Sequence, residues 1–149
     1  MKLPYAERIN YWKTGGSAPG DWLEKARHEI GDAGGKVLAI AEGMDATTGR
    51  EAYMIGFELQ GDRFKIIWPV LPTRSGSRDS LKAARRQAAT MLYHHVKAAC
   101  MDARVRGGRI AFFSALLLPD GRTASQVATP ELALDLSQIL NLPALPSGE

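Results

Sequence analysis

The sequence predicts one α+β domain: an antiparallel β-meander with a basic helix packed on one face, in the order α-β-β-β-α-β-α. Three observations carry this. From Arg50 to Trp68 large apolar residues recur at every second position, with Tyr53, Ile55, Phe57 and Leu59 before a turn and Phe64, Ile66 and Trp68 after it. From Ser80 to Cys100 the period changes: at about 100° per residue, Leu81, Ala84, Ala88, Leu92 and Ala99 share one side, with Val96 at its edge. From Ile110 to Leu118 the chain is almost continuously apolar, which reads as a central or fully covered strand.

Taken in order, residues 1–20 form an amino-terminal arm with a short helical piece followed by YWKTGGSAPG. Lys13, Gly15, Gly16 and Gly20 are the residue types of a phosphate cradle, but their order is not that of a Walker loop, and a flexible connector is expected. Tyr5, Tyr11 and Trp12 can pack on the core, cover a neighbouring subunit or stack on bases. The domain proper spans residues 21–140. Its first helix is expected from Asp21, a plausible cap, to Ala33, with Leu23, Ala26 and Ile30 inward and Gly34-Gly35 ending it.

The first strand is expected over Lys36–Ala41, then a connector over Glu42–Gly49. The second and third strands join through a tight turn at Gly61-Asp62. Pro69 and Pro72 end the third. Asp79 or Ser80 would cap the basic helix, because a short side-chain oxygen accepts from the free N–H groups of the first turn. Its inner side is mostly alanine, so it can approach a sheet closely. Its outer side aligns Lys82, Arg86, Tyr93 and Lys97. Gly107-Gly108 closes it, and Pro119-Asp120-Gly121 turns the chain after the fourth strand. Thr129-Pro130-Glu131 starts a last helix running to about Leu140, and residues 141–149 are expected to fray as a tail.

Composition narrows the function. No apolar run approaches the roughly 18 residues that span a bilayer, so no membrane partner is expected. The first ten residues lack the apolar segment of a secretory signal, and a single cysteine, Cys100, allows no intrachain disulfide; both fit a cytoplasmic protein. Net charge is only +3 but unevenly spread. Between Arg74 and Arg109 nine cations face two acids, a net +7 that leaves −4 for the rest. A basic segment on an acidic remainder points to an anionic partner, nucleic acid first. A solvated helix face is the alternative reading of the same charges.

The helix SLKAARRQAATMLYHHVKAAC resembles the one that follows the β-meander in Rad-fifty-two-type single-strand annealing proteins. Ser80, Leu81, Ala84, Arg85, Arg86, Gln87, Ala88, Thr90, Leu92, Lys97 and Ala98 carry the resemblance, which covers residues 35–103. It implies a homo-oligomeric ring or filament, with single-stranded DNA in a basic groove between the hairpin and the helix. It places Arg85 and Arg86 at that groove and Lys65 on the hairpin side. The candidate nucleic-acid-binding set is therefore Lys65, Arg78, Lys82, Arg85, Arg86 and Lys97. Arg85 also falls toward the apolar edge, where an internal ion pair competes. The expected function is single-stranded DNA binding and annealing in recombination or repair, without enzymatic activity, catalytic residue, metal or cofactor.

Three other readings stay open. The same order resembles a double-stranded RNA-binding domain, which reads duplex shape through phosphates and 2′-hydroxyls. It also resembles a nuclease of the restriction-endonuclease fold, whose carboxylates and lysine would have to be Glu51, Glu58, Asp62 and Lys65. An adaptor would use Trp22, Trp68 and Tyr93 as anchors against an acidic protein. His94 and His95 diverge by about 100° on a helix and cannot readily share a metal. His95 is expected as a hydrogen-bonded core residue, and Cys100 as a small buried side chain.

Overall fold

A computed structural model describes residues 2–128. The expected helix from Thr129 and the tail at 141–149 lie outside those residues. The architecture is α+β. A three-stranded antiparallel meander, in the order β1-β2-β3, carries helices on one face. The elements that matter are α1 (Pro19–Asp32), β1 (Lys36–Asp45), β2 (Arg50–Leu59), β3 (Asp62–Pro69) and α2 (Arg78–Arg106). Two short helices follow, α3 (Gly108–Ala111) and α4 (Ala124–Val127).

Helix α1 starts two residues before Asp21: Pro19 fits the first turn because its missing N–H would be unpaired there anyway. Asp21 sits inside that turn, near the positive helix end, rather than capping it. Gly34 takes φ +91 and the Gly35 N–H donates back to the Ile30 carbonyl at 2.9 Å, which ends the helix and aims the chain into β1. β1 runs to Asp45, four residues past the expected Ala41. The true turn is residues 46–49. Asp45 Oδ1 accepts from the Thr47 N–H at 3.0 Å, and Gly49, at φ +69, donates to the Asp45 carbonyl at 2.7 Å. The second hairpin pivots on Gln60 and Gly61, both at positive φ, and Asp62 already pairs with Leu59.

The alternation in β2 and β3 packs as expected. Tyr53, Ile55, Phe57, Leu59, Phe64 and Ile66 are buried against Ala88, Leu92, Val96 and Ala99 of α2. Phe57 stacks on Phe64 at 5.2 Å and meets the edge of Phe112 at 5.0 Å. Helix α2 is longer than the periodic stretch at both ends. Its cap is Ser77, whose hydroxyl accepts from the Ser80 N–H at 3.2 Å. Leu81, expected inward, is 40% exposed in the first turn. Ala84 and Ala88 are fully buried as expected, and Gln87, which the apolar stripe does not include, is fully buried beside them.

The fourth strand is not formed. Ile110 is 54% exposed in α3, Phe113–Ala115 make a 3₁₀ turn, and the run meets β3 through the isolated bridge Phe64–Leu116 and the hydrogen bond from the Leu117 N–H to the Arg63 carbonyl, while a second bridge, Leu117–Thr123, joins it to the segment before α4. A short apolar run has no period of its own, so strand and buried cap look alike in sequence. Here Phe112, Ala115 and Leu116 close one end of the core. No helix of the described residues is long and apolar enough to cross a membrane.

Candidate nucleic-acid interface

The amino-terminal arm is not a loose connector. It lies along the first half of α2, where the buried Gln87 amide donates to the carbonyls of Ala6 at 2.8 Å, Ile9 at 3.1 Å and Asn10 at 3.0 Å. Leu3, Ile9 and Trp12 pack with Ala84, Leu71 and Met91 beneath it. A second link ties the same arm to α2: Arg86 Nη1 donates to the Gly15 carbonyl at 3.3 Å.

These contacts break up the expected basic row. The six candidate cations occupy four settings. Arg78, Lys82 and Lys97 point to solvent, and among the described residues none has an ion-pair partner. Arg85 is half-buried and pairs with Glu51, Nε to Oε1 at 2.7 Å; the hydrogen bond to Glu51 raises its already high pKa. Arg86 is turned onto the arm. Lys65 lies on the sheet face away from α2, between neighbours Phe64 and Ile66 that point into the core. The groove expected between the hairpin and the helix, with Lys65 on one side and Arg85 and Arg86 on the other, is therefore absent among the described residues. The reason is that Lys65 projects from the opposite face of the sheet, while Arg85 and Arg86 are engaged by Glu51 and the Gly15 carbonyl. Two further arginines of the +7 segment are also neutralised within the molecule, Arg106 by Asp102 and Arg109 by Asp62.

The geometry instead gathers rings and free cations where α1 lies beside the second half of α2. Tyr11 lies on His94 with ring centroids 5.0 Å apart and planes 10° from parallel. Tyr93 and Trp22 adjoin the same imidazole, at 5.0 and 5.9 Å. Tyr93, expected outward on the basic row, is thus partly covered by Trp22 at 5.4 Å. Lys25 Nζ sits 4.4 Å above the Trp22 ring. Beyond His94 a concavity of about 480 Å³ opens between the helices, bordered by Glu29, Lys97, Met101 and Arg104. Lys97 and Arg104 are seven residues apart, about two turns, so both project from one side of α2. Neither Arg104 nor Lys25 stands out in the sequence. The seven-residue spacing from Lys97 is the available signal for Arg104.

His95 is not a hydrogen-bonded core residue. It stands at the surface with its ring partly covered by Trp68, 5.3 Å away, and this partial desolvation of the imidazole lowers its pKa below 6.5. Cys100 is buried, and that burial, with the Glu29 charge, pushes its thiol up to about 11. No known protein family, curated protein or solved structure matches the chain.

The carboxylates of the nuclease reading do not converge. Glu51 is taken by Arg85, Glu58 by Arg63 at 2.9 Å, and Asp62 by Arg109 at 2.8 Å. Among the described residues no three His, Cys, Asp or Glu side chains come together in a way that could hold a metal ion.

Proposed function

We propose that this chain binds single-stranded nucleic acid across the α1–α2 face, and that its activity is annealing of single-stranded DNA in recombination or repair. The observation that carries the reading is the Tyr11–His94 stack, beside Lys97 and Arg104, two cations without carboxylate partners among the described residues. Exposed rings accept any base by stacking, at roughly 1–3 kcal/mol per base. Neighbouring cations hold phosphates through a sequence-independent, salt-sensitive attraction. That division leaves base edges free, which annealing requires. Lys25, over the Trp22 ring, adds a cation at the same place. Lys82 and Arg78 are exposed nearer the start of α2, on the other side of the arm's link to Arg86, and Lys65, on the other face of the sheet, drops out of it.

The test is anisotropy of a labelled oligothymidylate over a salt series, with duplex RNA as competitor, followed by annealing of complementary strands. About four phosphate contacts give a log–log salt slope of roughly −3. Failure to bind at low salt, or preference for duplex RNA, defeats this reading. Binding without acceleration of annealing leaves a single-strand binder and defeats the annealing part alone.

A further inference from the structure

β1 ends the sheet on one side. Among the described residues it pairs with β2 and with no strand beyond. The opposite edge differs. Leu117 donates its N–H to the Arg63 carbonyl at 2.9 Å, Leu116 bridges Phe64, and β3 finishes in Pro69, which has no N–H to offer. β1 therefore carries the longer row of free backbone donors and acceptors, a ready template for another strand. Its side chains add to that. Leu38 is 48% and Met44 69% exposed, and Lys36 at one end and Asp45 at the other carry opposite charges.

The register of β1 makes this edge self-complementary. Ala39, Ala41 and Gly43 face the open side of the sheet, opposite Gly56, Met54 and Ala52 of β2. Ile40, Glu42 and Met44 face the helix side, opposite Ile55, Tyr53 and Glu51. A bulge between Val37 and Ala39 shifts the phase, so that Lys36 shares the open side with Asp45.

We propose that two copies of the chain join edge to edge through β1, antiparallel about a two-fold axis at Ala41, into one continuous six-stranded sheet. In that register Leu38 meets the partner's Met44, Ala39 meets the partner's Gly43, and Lys36 lies beside the partner's Asp45. Each exposed apolar side chain covers another, and each end sets a cation beside an anion. A one-residue slip reverses the faces and loses both. A self-complementary edge closes at two copies, whereas a ring or filament needs two different surfaces. The proposal thus departs from the ring or filament implied by the family resemblance, and it stands without the nucleic-acid reading.

The test uses the full chain without nucleic acid. Light scattering after size exclusion should give twice the 16.2 kDa chain mass at micromolar concentration. In the double variant Leu38→Lys, Met44→Lys the mass should halve, with the circular dichroism spectrum unchanged, since neither side chain is in the core. In Ala41→Cys the two Cα atoms would sit about 4.5–5.5 Å apart, within disulfide reach, so mild oxidation should give a covalent dimer while buried Cys100 stays reduced. A monomer, as expected if residues 129–149 cover this edge, overturns the proposal. So does a trimer or larger species, or a dimer that survives the double variant. If the lysine variant does not fold, failure of Ala41→Cys to cross-link overturns it alone.

Discussion

Gln87 holds Ala6: its amide donates to the Ala6 carbonyl at 2.8 Å from a position with no exposure to solvent. Eighty-one residues separate the two in sequence. The same amide reaches Ile9 and Asn10, so one side chain anchors the arm that carries Tyr11 to His94. Replacing Gln87 with Leu keeps the bulk but leaves buried carbonyls without donors. A loss of about 1–3 kcal/mol in denaturant unfolding is expected, with faster proteolysis between residues 2 and 17. An unchanged midpoint would contradict the anchoring role.

Lys97 and Arg104 should act on binding, and Arg85 on stability. The double variant Lys97→Ala, Arg104→Ala should lower the magnitude of the salt slope for single-stranded DNA by about 1.4, at roughly 0.7 for each phosphate no longer neutralised. Its melting temperature should stay unchanged, because among the described residues neither side chain has an ion-pair partner. Arg85→Ala should leave the slope intact and cost at most about 1 kcal/mol, the range for a partly exposed pair such as Arg85–Glu51. An Arg85 variant with a reduced slope and normal stability would return that residue to the interface.

Tyr11→Ala removes one ring of the stack on His94. Affinity for oligothymidylate should fall by about 1–3 kcal/mol, with the salt slope preserved. Tyr11→Phe should retain most of the affinity, because stacking needs the ring and not the hydroxyl. Equal losses in both variants would mean the arm matters for some other reason.

The Cys100 thiol, with a pKa of about 11 and 2% exposure, should resist thiol reagents at pH 8 in the folded protein. It should react at once in denaturant. Rapid labelling of native protein would show that α2 opens around Ala99 and Ala103.

His95 gives a pH dependence whose sign is fixed. Burial against Trp68 lowers its folded-state pKa below the ordinary 6.5, so the unfolded chain takes up the proton first. The stability tied to the neutral imidazole is present above pH 6.5 and is lost as pH falls below it. Thermal melts from pH 7 to 5 should show a decline that is smaller in His95→Phe. An identical decline in both proteins would assign the acid sensitivity to other groups.

Alternation in β2 and β3 and the helical period of α2 are legible because each is local: the side chains that share a face lie within a few residues of one another. They determine the meander, the helix on its inner face and the core from Tyr53 to Ala99. Turn chemistry locates the hairpins to within a few residues, missing Gln60 only because its positive φ depends on the pairing of Leu59 with Asp62. The run from Ile110 to Leu118 misleads because continuous apolarity says that a segment is covered, not by what.

What the tertiary structure alone decided was the fate of the charges. Arg85, Arg86, Lys97 and Arg104 lie on one helix, and of these only Arg85 is set apart in the sequence, by its place toward the apolar edge. Only the placement of Glu51 on β2, the arm held by Gln87, and the course of α1 past Trp22 make the first an ion pair and the second a link to Gly15, and leave the last two facing solvent. Periodicity fixes the face on which a cation lies. Whether that face meets a carboxylate, a carbonyl or water depends on chain segments tens of residues away.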